Sequence, residues 1–165
     1  MISGPRQWLT LAEAARVAGQ LAGRPCTPRQ VRHLLILGGL GTDTRQRTRG
    51  QTRLYGALDV SFIRLALRLQ ADGVSPWVVR VVLTYLRNDL VRAWRSSAAV
   101  ALAIHGLKGS IEPALKPRPA SAGAWVPLRE IAKGVEAEIQ HTRESRETVW
   151  MWRKVSVNAV PRAAV

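Results

Sequence analysis

The residue types able to do chemistry in this chain cluster between Thr27 and Tyr55, and they suit the gripping of a polyanion rather than the breaking of bonds. Arg29, Gln30, Arg32 and His33 follow Thr27-Pro28, and Arg45, Arg47, Arg49 and Arg53 lead into Leu54-Tyr55. A guanidinium can fork onto phosphate oxygens or onto the edge of a guanine, and a tyrosine hydroxyl can donate to phosphate. The candidate nucleic-acid-binding residues in this segment are Thr27, Arg29, Gln30, Arg32, His33, Arg45, Arg47 and Arg49, and the segment ends at Arg53 and Tyr55.

Catalytic chemistry finds no comparable constellation. Glu136 and Glu138 are two positions apart on a predicted helix, so they diverge and cannot act as a carboxylate pair. There is no nucleophile elbow and no glycine-rich phosphate loop. His33, His105 and His141 are far apart, and the single cysteine, Cys26, supports neither a disulfide framework nor a thiolate metal site. Cys26 does precede a helix N-terminus, which could lower its pKa; it is read as a small bystander residue. No enzyme activity, metal or cofactor is expected.

The charge balance points the same way. The chain has 165 residues, 25 Lys and Arg against 11 Asp and Glu, and a formal net charge of +14. Residues 1–95 hold fifteen arginines and five acids, whereas residues 96–165 hold ten basic residues and six glutamates. An excess of this size implies a polyanionic partner, with nucleic acid favoured because each phosphate contact releases counterions. Ribosomes, acidic proteins and membranes are the other partners such a balance allows, and GC-rich coding alone also enriches arginine. A hydrophobic content of 47% suffices for one compact domain or two small ones. The sequence has no membrane-spanning run and no signal-peptide core, so a cytoplasmic protein is expected.

The elements that must position these residues are marked by local signals. Thr10 and Glu13 form a capping box for a first helix bearing Leu11, Ala14, Ala15 and Ala18, with Gly19 as its stop. Thr27 and Pro28 start a second helix, whose Val31, Leu34, Leu35 and Ile36 face inward and leave Arg29, Gln30, Arg32 and His33 outward. Residues 41–53 contain almost nothing apolar and read as a hairpin or a loop on the surface. A third helix carries Leu58, Phe62, Leu65, Ala66 and Leu69, and a fourth starts at Ser75-Pro76 and buries Val79, Val82, Leu83, Leu86 and Leu90. Trp8, Trp77 and Trp94 are read as core fillers.

After residue 95 the pattern changes. Alternation of Val100, Leu102 and Ile104 predicts a strand, Gly106 to Gly109 a turn, and Ser110–Leu115 a second strand. Leu128, Ile131, Ala132, Val135 and Ile139 predict a helix, and the alternation from Thr148 to Val157 predicts a last strand. On that strand Trp150 and Trp152 could line a pocket, stack on a base or seal a dimer, with core packing favoured. The predicted class is α+β: an N-terminal winged helix-turn-helix of four helices plus a wing hairpin over residues 1–95, then a small β-β-α-β module over 96–165.

The order of these words resembles a known family. Leu9-Thr10-Leu11-Ala12-Glu13-Ala14-Ala15, Val31-Arg32, Gly39-Leu40, Arg53-Leu54-Tyr55 followed by Asp59, and Gly73-Val74-Ser75 are similar to the MerR-type DNA-binding domain over about residues 9–90. The resemblance implies that the second helix lies in the major groove with Arg32 as its reading arginine. It also implies that Arg53 and Tyr55 grip phosphate at the wing end. The chain departs from the family in a longer connector between the first two helices and a wing one residue longer. A long C-terminal dimerisation helix is not evident in the sequence, and paired cysteines of a thiol or metal sensor are absent from it.

The expected function is sequence-specific binding of double-stranded DNA by a transcriptional regulator, acting as a homodimer through residues 96–165. The alternative is an antitoxin or phage-encoded adaptor whose C-terminal module binds a protein partner while the first domain anchors it to DNA. A non-specific architectural accessory is the third possibility.

Overall fold

The structure, a computed structural model, describes residues 8–37, 54–96, 99–115, 118–119 and 121–158, with only the backbone described for 35–37 and 148–158. Helix α1, Leu11–Ala22, begins at the expected capping box: Thr10 Oγ1 accepts from the Glu13 amide, and Glu13 Oε2 accepts from the Thr10 amide at 2.8 Å. It passes the expected stop at Gly19 and ends one turn later, because Gly23 takes the left-handed cap at φ 65°. Gly19 serves the packing instead. A Cβ there would lie 2.9 Å from the Arg24 carbonyl oxygen and 3.1 Å from the Cys26 nitrogen, so only glycine lets the connector fold back this closely.

Helix α2, Pro28–Val31, is closed by a second capping box, with Gln30 Oε1 accepting from the Thr27 amide at 2.8 Å. It continues as a π-helical turn, Arg32–Leu37. Val31 and Leu34 are buried, and Arg29, Gln30, Arg32 and His33 are exposed, as the apolar spacing requires.

Helix α3, Ala57–Ala71, is the centre of the molecule, packing against α1, the π-helical turn and the helices that follow. Phe62, Ile63, Leu65, Leu67 and Leu69 are all fully buried, each worth roughly 1.5–3 kcal/mol of transfer free energy. Buried Asp59 caps it by accepting from the Gly56 amide at 2.9 Å. The expected fourth helix is two helices, α4 (Pro76–Tyr85, with Ser75 as N-cap) and α5 (Arg87–Arg95), separated at Leu86.

Three antiparallel strands follow in the order β2-β1-β3: β1 (Val100–His105), β2 (Lys108–Pro113) and β3 (Ala124–Pro127). Leu102 faces Ile111 on one side and Val126 on the other. Helix α6 (Leu128–Ala132) is separated by Gly134, at φ 80°, from helix α7 (Val135–Asn158). The fold class is α+β as expected, but the C-terminal order is β-β-β-α-α rather than β-β-α-β. Residues 148–157 belong to α7, not to a strand. No glycine or proline falls between Gly134 and Pro161, so once α7 has nucleated nothing local stops its propagation. The added strand, β3, is too short for its alternation to stand out and is held by pairing with β1. Two positions apart on a helix, residues 150 and 152 no longer share the strand face expected for them.

Residues from both halves of the chain enter one buried cluster, in which Leu9, Val17 and Phe62 are joined by Leu102, Val126 and Ile139. Trp94 packs edge-on against Phe62, with ring centroids 4.9 Å apart, and its Nε1 donates to the Leu128 carbonyl oxygen at 3.1 Å. Arg64 of α3 donates through Nη1 to the carbonyl oxygens of Ile131 (2.8 Å) and Lys133 (2.7 Å). It thereby satisfies the open end of α6 with a cation, where the helix dipole favours one. Burial lowers the Arg64 pKa, partly offset by nearby Glu130.

Candidate nucleic-acid interface

The exposed side of α2 and its π-helical turn faces a basic groove of about 710 Å³. Thr27, Arg29, Gln30, Arg32 and His33 line it, which brings together five of the ten residues expected to bind nucleic acid. Leu34 and Leu67 contribute apolar wall, and Gln70, Pro76 and Arg80 close the far side from α3 and α4. None of these described lining residues is acidic. Three guanidinium groups lining one concavity with no acid among its described lining residues favour an anionic ligand.

The interior structure sorts the arginines. Arg24 turns inward and donates to the Leu67 carbonyl oxygen at 3.2 Å, Arg16 to Thr142 Oγ1 at 3.2 Å, and Arg64 caps α6. Arg68 pairs with Asp72 at 3.1 Å. Arg29, Arg32 and Arg80 stay exposed at the groove. Arg80 and Gln70 are absent from the residues picked out by sequence, although Pro76 and Arg80 at i and i+4 on α4 are a readable signal for one helix face.

Arg45, Arg47, Arg49 and Arg53, and the wing hairpin expected to carry them, lie outside the described residues. Tyr55, expected from the family resemblance to grip phosphate, stands in the core at 1% exposure. Its backbone exchanges two 2.9 Å hydrogen bonds with Leu9, an isolated antiparallel bridge that ties the entry of α1 to the entry of α3. A ring so enclosed is a packing residue, and the candidate surface loses it.

Cys26 is not activated by its place before α2. Burial raises the thiol pKa, the Arg24 charge only partly countering it, and its Sγ lies 3.9 Å from the Thr27 carbonyl oxygen.

A polar line that sequence reasoning missed runs across the sheet. Ser121 Oγ lies 3.4 Å from His105 Nδ1, His105 Nε2 lies 3.4 Å from Glu112 Oε1, and Ser110 Oγ donates to the same oxygen at 2.8 Å. Hydroxyl, imidazole and carboxylate stand in the order of a proton relay. Both imidazole contacts are long at 3.4 Å, and the line ties the loop before β3 to the hairpin. Only tertiary pairing reveals it, since His105 and Ser121 are sixteen residues apart. Among the described residues, no group of three or more His, Cys, Asp or Glu is placed to hold a metal ion, and no helix is long and apolar enough to cross a membrane.

Comparison of the chain with protein-family models, with curated proteins and with solved structures gives no match.

Proposed function

We propose that this chain is a MerR-like, winged-helix regulator that reads double-stranded DNA with α2 and its π-helical turn. The single observation that carries this is the basic groove, where Arg29, Gln30, Arg32 and His33 converge with Arg80 and no acid stands among the described lining residues. Arg32 and its neighbours contact base edges, and the arginine run from Arg45 to Arg53 lies along the phosphate backbone. The expected homodimer, through residues 96–165, sets two such surfaces on neighbouring half-sites, since one short helix by itself discriminates weakly.

The test is binding of the purified chain to DNA from upstream of its own gene and to random duplex of equal length, each over a salt series. Tighter binding to the upstream duplex that persists at high salt supports a sequence reader. Equal affinities that fall together with salt reduce the groove to a phosphate grip and overturn the regulatory function.

A further inference from the structure

We propose that the outward face of α4 is a stacking site for the unpaired bases of a single-stranded nucleic acid, lying beside the basic groove. The proposal rests on the groove's being a phosphate-binding surface. On its inner side α4 buries Val79, Val82 and Leu83. Its outer side is also apolar: Trp77, Val81 and Tyr85, at i, i+4 and i+8, are 61%, 40% and 84% exposed. A surface helix ordinarily turns polar residues to solvent, so an indole and a phenol left there mark a binding face.

Charge decides what fits. Pro76 and Arg80, one helical turn apart, line the groove, and the aromatic stripe begins at Trp77, the residue after Pro76. A ligand here meets cations on one flank and aromatic faces on the other. A nucleic-acid strand with splayed bases offers both complements, phosphates to Arg80 and base planes to the rings. Eight residues of helix separate Trp77 from Tyr85 by about 12 Å. At about 3.4 Å per stacked nucleotide, that is the span of three to four bases. A second copy fits less well, because Val81 is the midpoint of the stripe. A two-fold axis there sets its neighbour Arg80 close to the partner's Arg80, an unfavourable like-charge contact.

The experiment measures binding of the full chain to a labelled single strand about 20 nucleotides long and, separately, to the same sequence as duplex. Wild type is compared with Trp77→Ala/Tyr85→Ala and with Trp77→Phe/Tyr85→Phe, circular dichroism confirming that each folds. The alanine pair is expected to weaken strand binding at least about tenfold, with duplex binding changed less than about twofold; the phenylalanine pair keeps strand affinity. DNA and RNA strands should respond alike, because stacking reads the base plane rather than the sugar. Strand affinity that the alanine pair leaves unchanged, or equal loss on strand and duplex, overturns the stacking site. So does a concentration-dependent dimer that the alanine pair breaks while strand binding persists, which assigns the face to a second copy. Ring-dependent strand binding without any preference for the upstream duplex upholds the stacking site while the regulatory function fails.

Discussion

Arg146 of α7 is ion-paired with Glu13 of α1, the same carboxylate that closes the α1 capping box on Thr10. One side chain thus fixes the start of the first helix and clamps the last helix across it. Burial pushes the Glu13 carboxyl up, but the hydrogen bonds from Thr10 and the Arg146 guanidinium outweigh it and hold its pKa below the ordinary value of 4.5.

A carboxylate whose folded pKa is depressed contributes stability above its unfolded pKa and loses it as pH falls through the folded one. Glu13 is therefore expected to steepen the acid limb of stability below about pH 4.5. Glu13→Gln retains a side chain able to close the capping box but removes the titrating charge. Its urea midpoint should fall less than that of wild type between neutral and acid pH. Parallel midpoint curves for the two proteins exclude this role.

Gly109 of β2 comes so close to α4 and the junction after it that a Cβ there would lie 2.4 Å from Val82 Cγ1 and 3.0 Å from Leu86 Cδ1. Gly109→Ala is expected to cost about 1–3 kcal/mol by overpacking. Combining it with Val82→Ala should recover part of that loss, a coupling of about 0.5–3 kcal/mol. Additive losses in the double-mutant cycle would show that the hairpin and α4 are not in the contact seen here.

Asp59 lies fully buried at the third position of α3, where it accepts from the Gly56 amide. Removing its acceptor strands that amide in the core, so Asp59→Ala should cost about 1–3 kcal/mol. Asp59→Asn keeps an acceptor oxygen and should cost less. Equal losses in denaturant melts place the weight on charge or shape rather than on the cap.

What could be read in the sequence is what is settled within one turn of chain. Thr10 with Glu13, Thr27 with Pro28 and Ser75 with Pro76 start helices by contacts three residues long, and each helix begins where those pairs place it. Periodicity also finds the inner face of α4. It cannot tell which face is covered when apolar residues lie on more than one side of a helix, so Trp77, expected as a core residue, proves exposed while Trp94 is packed. The strand expected at residues 148–157 fails for a related reason, since alternating Val, Trp and Met also suits a helix that nothing interrupts. Assignments needing distant partners escape altogether. Arg80 joins Arg32 only because α4 folds beside α2, and the common core of both halves depends on Leu102 and Ile139 meeting the α1–α3 pair.

Arg32 and Arg80 line the same groove from different helices, and their substitutions should read out differently. Arg32 stands on the element proposed to face base edges, whereas Arg80 lies across the groove, on the side proposed to meet the phosphate backbone. Arg32→Ala is therefore expected to reduce discrimination between upstream and random duplex by about 1–3 kcal/mol. Arg80→Ala should weaken both duplexes alike and lower the salt slope by about one counterion. Titrations of both variants on both duplexes over a salt series separate these outcomes. An equal loss on the two duplexes for Arg32→Ala makes it a phosphate contact too. Sequence reading would then have to come from Arg29, Gln30 or His33, the remaining polar side chains that α2 and its π-helical turn present to the groove.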